Sequence, residues 1–162
     1  MPDSGNTSAG RAHTYRVAVT WTGNTGTGTA SYRGYRRDHD LKAEGKPVIA
    51  GSSDPGFRGS RLRWNPEELL VASLAACHQL QYLHLCADAG IVVTAYEDHA
   101  EGVMREDADG GGHFERVMLR PRVTITDQTR RDDAFAMHHA AHDLCFIARS
   151  MGFAVECEPA VT

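Results

Sequence analysis

The sequence predicts an α+β fold with antiparallel sheets packed around two main helices, in a single domain spanning residues 1–162. Three observations carry this. Two long segments, 65–90 and 132–151, have helical composition and helix-end signals, against about five or six strand-like segments. Those strand segments mostly follow one another through turns, without a helix after each strand, which excludes a doubly wound parallel sheet. No repeat or linker divides the chain, and 162 residues with 41% hydrophobic and 23% charged composition can bury one sizeable core.

Residues 1–12, beginning MPDSGNTSAGR, are small and polar and read as a flexible tail, not a signal peptide. Residues 13–22 alternate as a strand, with Tyr15, Val17, Val19 and Trp21 on one face. GNTG reads as a turn and TGTASYRGY (27–35) as a second strand, together a β-hairpin. Residues 36–44 read as a short third strand. Residues 45–64, rich in Gly, Pro and Ser, read as a long loop, and loops of that length in compact domains are commonly functional. This one carries Arg58, Arg61 and Arg63 toward the start of the first helix.

That helix begins at NPEE. Asn65 is a good N-cap, Pro66 at the first helical position leaves no N–H unpaired, and Glu68 can close a capping box. Gly90 suits the C′ position. The run Leu69–Cys77 is apolar nearly all round, so the helix is expected to be buried in a core or a subunit interface. Residues 91–104 and 113–126 then read as two strands. The acidic, Gly-rich 105–112 between them is a hairpin turn, since its D-A-D-G lacks the distal glutamate of a calcium loop. Asp132 and Asp133 open the second helix and Gly152 follows it. FAVEC, 153–157, closes the order as a strand.

The formal charge of −4 argues against a nucleic-acid partner, and no apolar run of 18 residues escapes polar interruption, so no membrane span is expected. A cytoplasmic location follows. The four cysteines, Cys77, Cys86, Cys145 and Cys157, form no C-x-x-C and match no zinc spacing, and in a reducing compartment they are not expected to form structural disulfides. Cys86 and Cys157 read as small buried hydrophobes. His78, His84 and His99 are scattered and read as structural. His138, His142 and Cys145 fall on one helix face at a spacing that can hold a metal, but a solvent-facing histidine pair and a core thiol explain them better, and no metal or cofactor is assigned.

Cys77 and Cys145 lie 68 residues apart, each read as inside a helix. A thiol reacts as thiolate, burial opposes that form, and Cys77 stands too far from its helix N-terminus for the dipole to help. A reactive Cys77 therefore needs a nearby cation, best an arginine, oriented by a carboxylate such as Glu67. Glu67 and Cys77 are about 15 Å apart along one straight helix, so either an arginine spans them or Glu67 reaches Cys77 of a partner chain across a two-fold axis.

NPEELLVASLAAC resembles the signature of the OsmC/Ohr family (osmotically inducible protein C and organic hydroperoxide resistance protein). Its mark is an N-P-E-x-L segment leading to a helical A-x-C cysteine, with a second helical cysteine some 65 residues later. The resemblance implies an intertwined α+β homodimer with a central buried helix and active sites at the interface. It implies that Cys77 is the peroxidatic and Cys145 the resolving cysteine, with Glu67 as the N-P-E glutamate. Arg58 in GFRGSRLRWNPEE matches the arginine of OsmC members; Ohr members draw theirs from the N-terminal hairpin, which points to Arg33 or Arg36. His78 stands where the family often has an aromatic residue, and LCFIARS lacks the proline that often follows the second cysteine, as in a less studied branch.

The function implied is a thiol peroxidase acting on organic or lipid hydroperoxides and recycled by a dithiol, of lipoyl type in the family. The alternatives are an apolar-ligand-binding module with inert cysteines and a redox sensor that forms the same disulfide with slow turnover.

Overall fold

The computed structural model describes residues 10–162, so residues 1–9 of the expected tail lie outside the described residues. The chain forms two compact units, Met1–Trp64 and Asn65–Thr162, meeting in sequence just where Asn65 caps the first helix.

In the first unit β1 (Ala18–Trp21), β2 (His39–Lys42) and β3 (Ile49–Gly51) make an antiparallel sheet in that order. Trp21 pairs with His39 and Ala18 with Lys42, so the expected third strand is the real partner of the first. The expected second strand, 27–35, does not form: residues 22–38 are a run of turns. The Asn24 side chain accepts from the Gly26 and Gly28 N–H groups, and Trp21 Nε1 donates to the Arg36 carbonyl at 2.8 Å. The Arg37 guanidinium lies 4.2 and 4.1 Å from the ring centres of Tyr32 and Tyr35. Local side-chain bonds and cation–π contacts thus replace a ladder in a glycine-rich stretch with little strand propensity. The expected 45–64 loop contains β3 and a 3₁₀ turn, Pro55–Phe57, whose cap Asp54 accepts from Gly56 N–H.

In the second unit α1 (Pro66–Asp88) is closed at both ends as the sequence predicts. Asn65 Oδ1 accepts from Glu68 N–H at 2.7 Å and Glu68 Oε2 from Asn65 N–H at 3.1 Å, a complete capping box. At the other end Ile91 N–H reaches the Cys86 carbonyl and Gly90 N–H the Ala87 carbonyl, with Gly90 at φ 69°, a Schellman closure. One ridge of α1, Leu74, His78, Tyr82 and Cys86, is buried at four-residue spacing. The helix is not buried all round as expected: Ala72, Ser73, Ala76 and Leu80 are exposed in the single chain. By length and composition alone α1 is long and apolar enough to cross a membrane, and its buried ridge packs against α2 and the sheets.

Each expected strand of the long hairpin divides in two: β4 (Val93–Asp98) and β5 (Glu101–Glu106), then β6 (Gly112–Leu119) and β7 (Pro121–Ile125). The break falls where Pro121 supplies no N–H and Asp98 Oδ1 accepts from Arg120 N–H at 2.7 Å. β4 pairs with β7 and β5 with β6, both antiparallel. β8 (Ala154–Cys157) joins β6 and β9 (Ala160–Val161) joins β7 in parallel, so the sheets are mixed where only antiparallel pairing was expected. The architecture is the expected α+β arrangement of sheets and two main helices.

α2 (Arg131–Leu144) ends seven residues before the expected boundary. Cys145 turns extended at φ −69°, ψ 109°, and its sulfur accepts from Ala148 N–H at 3.4 Å, capping the next turn instead of continuing the helix. Tyr82, Cys86, Ile91, Val123, Ile125, Ala134, Ala141 and Val161 form one core cluster, and Leu74, Val117 and Leu119 another.

Candidate active site

Helix α1 carries Cys77 partly exposed, one residue before the buried His78. Cys145, one residue past α2, is only 1% exposed. The packing of α1 against α2 brings these two cysteines together from 68 residues apart. Burial, and then interaction with the adjacent Cys77 thiol, push Cys145 up to about 11, only partly opposed by the Ala148 N–H on its sulfur. Both thiols are free. The pair thus joins a partly exposed cysteine to an enclosed thiol that burial keeps protonated beside it.

Glu67 lies in the first turn of α1, partly buried, and its Oε2 is enclosed without a hydrogen-bond partner among the described residues. A carboxylate oxygen shut away from water with no donor is costly, and a cation is the natural remedy. Arg58 belongs to the first unit, where it ends the 3₁₀ turn in left-handed backbone at φ 66° and is exposed. Arg33 and Arg36 are exposed in the turns between β1 and β2. Arg63, by contrast, is committed to Asp38 and Asp40, at 3.8 Å each.

The expected face of His138, His142 and Cys145 does not come together as a set. His138 turns instead to His78, with Nδ1 3.0 Å from His78 Nε2, while Cys145 goes to Cys77. Cys157, read as a plain buried hydrophobe, places its sulfur 3.7 Å from His78 Nε2. Tyr82 stacks on His138 with ring centres 3.9 Å apart. Burial, then the neighbouring His142, lowers His78 to about 4, and burial, then His78, lowers His138 to about 3, so both rings are neutral at pH 7. This cluster spans 79 residues of sequence, so no local spacing signals it. Cys86 is fully buried in the core, as read.

Comparison with known proteins agrees with this architecture. The family described as OsmC-like protein matches residues 58–159. An OsmC-like protein of unknown function from Vibrio cholerae is 28% identical over 92% of this chain and 100% of its own, with a TM-score of 0.83. An organic hydroperoxide resistance protein from Elizabethkingia anophelis has the same fold at 19% identity and a TM-score of 0.65, covering 94% of this chain and 99% of its own. A hydroperoxide resistance protein from Legionella pneumophila does so at 17% identity and 0.63, covering 93% and 99%. No curated protein matches the chain. With a family match over most of its length, residues 58–159, this chain belongs to the OsmC-like protein family.

Proposed function

We propose that the protein is a thiol-dependent peroxidase that reduces organic hydroperoxides to alcohols. The observation that carries this is the pairing of a partly exposed Cys77 with a buried Cys145 at the junction of α1 and α2. Membership of a family that includes organic hydroperoxide resistance proteins supports it.

In this reading the Cys77 thiolate attacks the terminal oxygen of the hydroperoxide. The O–O bond breaks, the departing alkoxide takes a proton and leaves as alcohol, and Cys77 becomes a sulfenic acid. Cys145 then attacks the Cys77 sulfur: the S–S bond forms, the S–OH bond breaks and water leaves. A dithiol, of lipoyl type, reduces the disulfide by exchange and is itself oxidised. Arg58 stabilises the thiolate and the developing alkoxide, and Glu67 orients it. The orphaned Glu67 Oε2 favours such a pairing.

The active form is a homodimer. Trp21 is 43% exposed and Leu80 68%, together with Val17 and Val19, apolar side chains that a second copy would cover. Four free cysteines suit a reducing compartment, hence the cytoplasm. The test is mass spectrometry after a stoichiometric organic hydroperoxide. A Cys77–Cys145 disulfide, replaced by sulfenic acid at Cys77 in Cys145→Ser, is expected. A disulfide to Cys86 or Cys157, or unmodified Cys77, overturns the proposal.

A further inference from the structure

Between the two core clusters, α1, α2 and β8 meet at three metal-ligating side chains that the peroxidase reading leaves unused. We propose that His78, His138 and Cys157 form a site for a tetrahedral transition-metal ion of the Zn²⁺ class. One ligand atom from each residue lies within 4.8 Å of the other two. His78 Nε2 stands 3.0 Å from His138 Nδ1 and 3.7 Å from Cys157 Sγ. Zinc bonds of about 2.0 Å to nitrogen and 2.3 Å to sulfur, at tetrahedral angles, require edges of about 3.3 and 3.5 Å. The two measured edges are within a few tenths of an ångström of those values.

The chemistry of the enclosure points the same way. His78 and His138 are 1% and 2% exposed, so this is a built core site and not a chance surface cluster. His78 Nδ1 and His138 Nε2 are buried without partners among the described residues. Their hydrogen bond to each other therefore accounts for only one nitrogen of each ring. Tyr82, stacked on His138, fixes that ring's plane. One oxygen of the Asp98 carboxylate is also buried without a partner among the described residues.

Access is present as well. A cleft of about 290 Å³ is lined by both His138 and Cys157, with Phe135, His139 and His142 along its wall. A soft or borderline ion is selected by one thiolate and two imidazoles, whereas Mg²⁺ and Ca²⁺ prefer oxygen ligands. On binding, the Cys157 S–H bond breaks, the proton passes to solvent and a sulfur–metal bond forms; no electron changes hands. The three ligands would tie α1 to α2 and β8 one residue from Cys77.

Co²⁺, a spectroscopic substitute for Zn²⁺, tests this on the reduced full-length protein. One ion per chain is expected, with tetrahedral visible bands and a near-ultraviolet thiolate-to-cobalt charge-transfer band, displaced by Zn²⁺. The charge-transfer band should vanish in Cys157→Ser and Cys157→Ala, and the tetrahedral bands in His138→Asn. Cys77→Ser and Cys145→Ser should keep both. Equal circular dichroism of wild type and at least one Cys157 variant identifies a true ligand loss. Absence of binding to the wild type, a charge-transfer band that survives in Cys157→Ala, or one lost in Cys77→Ser overturns the site. None of these readouts depends on peroxide turnover, so the site and the peroxidase reading fail separately.

Discussion

The Cys145 thiol is held protonated by burial and by the Cys77 thiol beside it, its pKa pushed up to about 11. In the proposed cycle Cys145 attacks only as thiolate, of which about one part in 10⁴ is present at pH 7 at such a pKa. Closure of the Cys77–Cys145 disulfide is therefore expected to accelerate about tenfold per pH unit across the range below 11. Raising the pH raises the thiolate fraction, so the slope is positive. The lifetime of Cys77 sulfenic acid, followed with a trapping reagent from pH 6 to 9, should shorten accordingly. A pH-independent lifetime would mean that Cys145 is not the resolving group.

Arg58 sits at φ 66°, held by a turn in which Asp54 accepts from Gly56, Phe57 and Gly59 N–H groups. If its guanidinium stabilises the Cys77 thiolate and the leaving oxygen, Arg58→Ala should lower kcat/KM for an organic hydroperoxide by about 10²–10³. Arg58→Lys should restore little, because an ammonium cannot supply two directed donors. Arg33→Ala and Arg36→Ala are the controls. A large loss in either of them, with Arg58→Ala near wild type, would transfer the role to the β1–β2 connection.

Both the fold class and the ends of α1 were legible in the sequence, because they rest on local chemistry. Asn65, Pro66, Glu68 and Gly90 act within one turn of the helix end, and each does what its residue type predicts. Where the chain departs from expectation, distant contacts or a competing local bond decide. Residues 27–35 read as the second strand of a hairpin after the GNTG turn, but Arg37 draws Tyr32 and Tyr35 onto its guanidinium and the stretch turns. The second helix stops at Leu144 because Cys145 caps the following turn with its sulfur. Of the candidate site residues, Cys77 and Cys145 were found through a family signature, and their proximity was invisible to spacing. The His78–His138–Cys157 cluster was missed altogether, since its members come from three elements with no common periodicity.

The capping box gives a stability prediction independent of function. Asn65 is 6% exposed and its side chain holds Glu68 N–H at 2.7 Å. Asn65→Ala removes the acceptor for that helix-end N–H and should cost about 1–2 kcal/mol. Asn65→Asp, which keeps the acceptor and adds a favourable charge at the helix N-terminus, should be nearly neutral. Denaturant titrations with an unchanged m-value would register both. A destabilisation by Asp as large as that by Ala would show that the helix cap is not what Asn65 contributes.

Leu80 separates the single chain from the proposed dimer. It lies on α1 opposite the buried ridge, 68% exposed, three residues from Cys77. In an isolated subunit Leu80→Glu removes little buried surface and places a good helix former at an exposed position, so stability should change by less than about 0.5 kcal/mol. In a homodimer packed along α1 the same change buries a charge in each copy without a partner, which is strongly unfavourable. Sedimentation velocity should therefore find a dimer for the wild type and a folded monomer for Leu80→Glu, with peroxidase activity lost along with the dimer if Glu67 serves the partner's Cys77. A wild-type monomer that still reduces hydroperoxide would instead require Glu67 and Cys77 to be linked within one chain, with an arginine spanning the roughly 15 Å of helix between them.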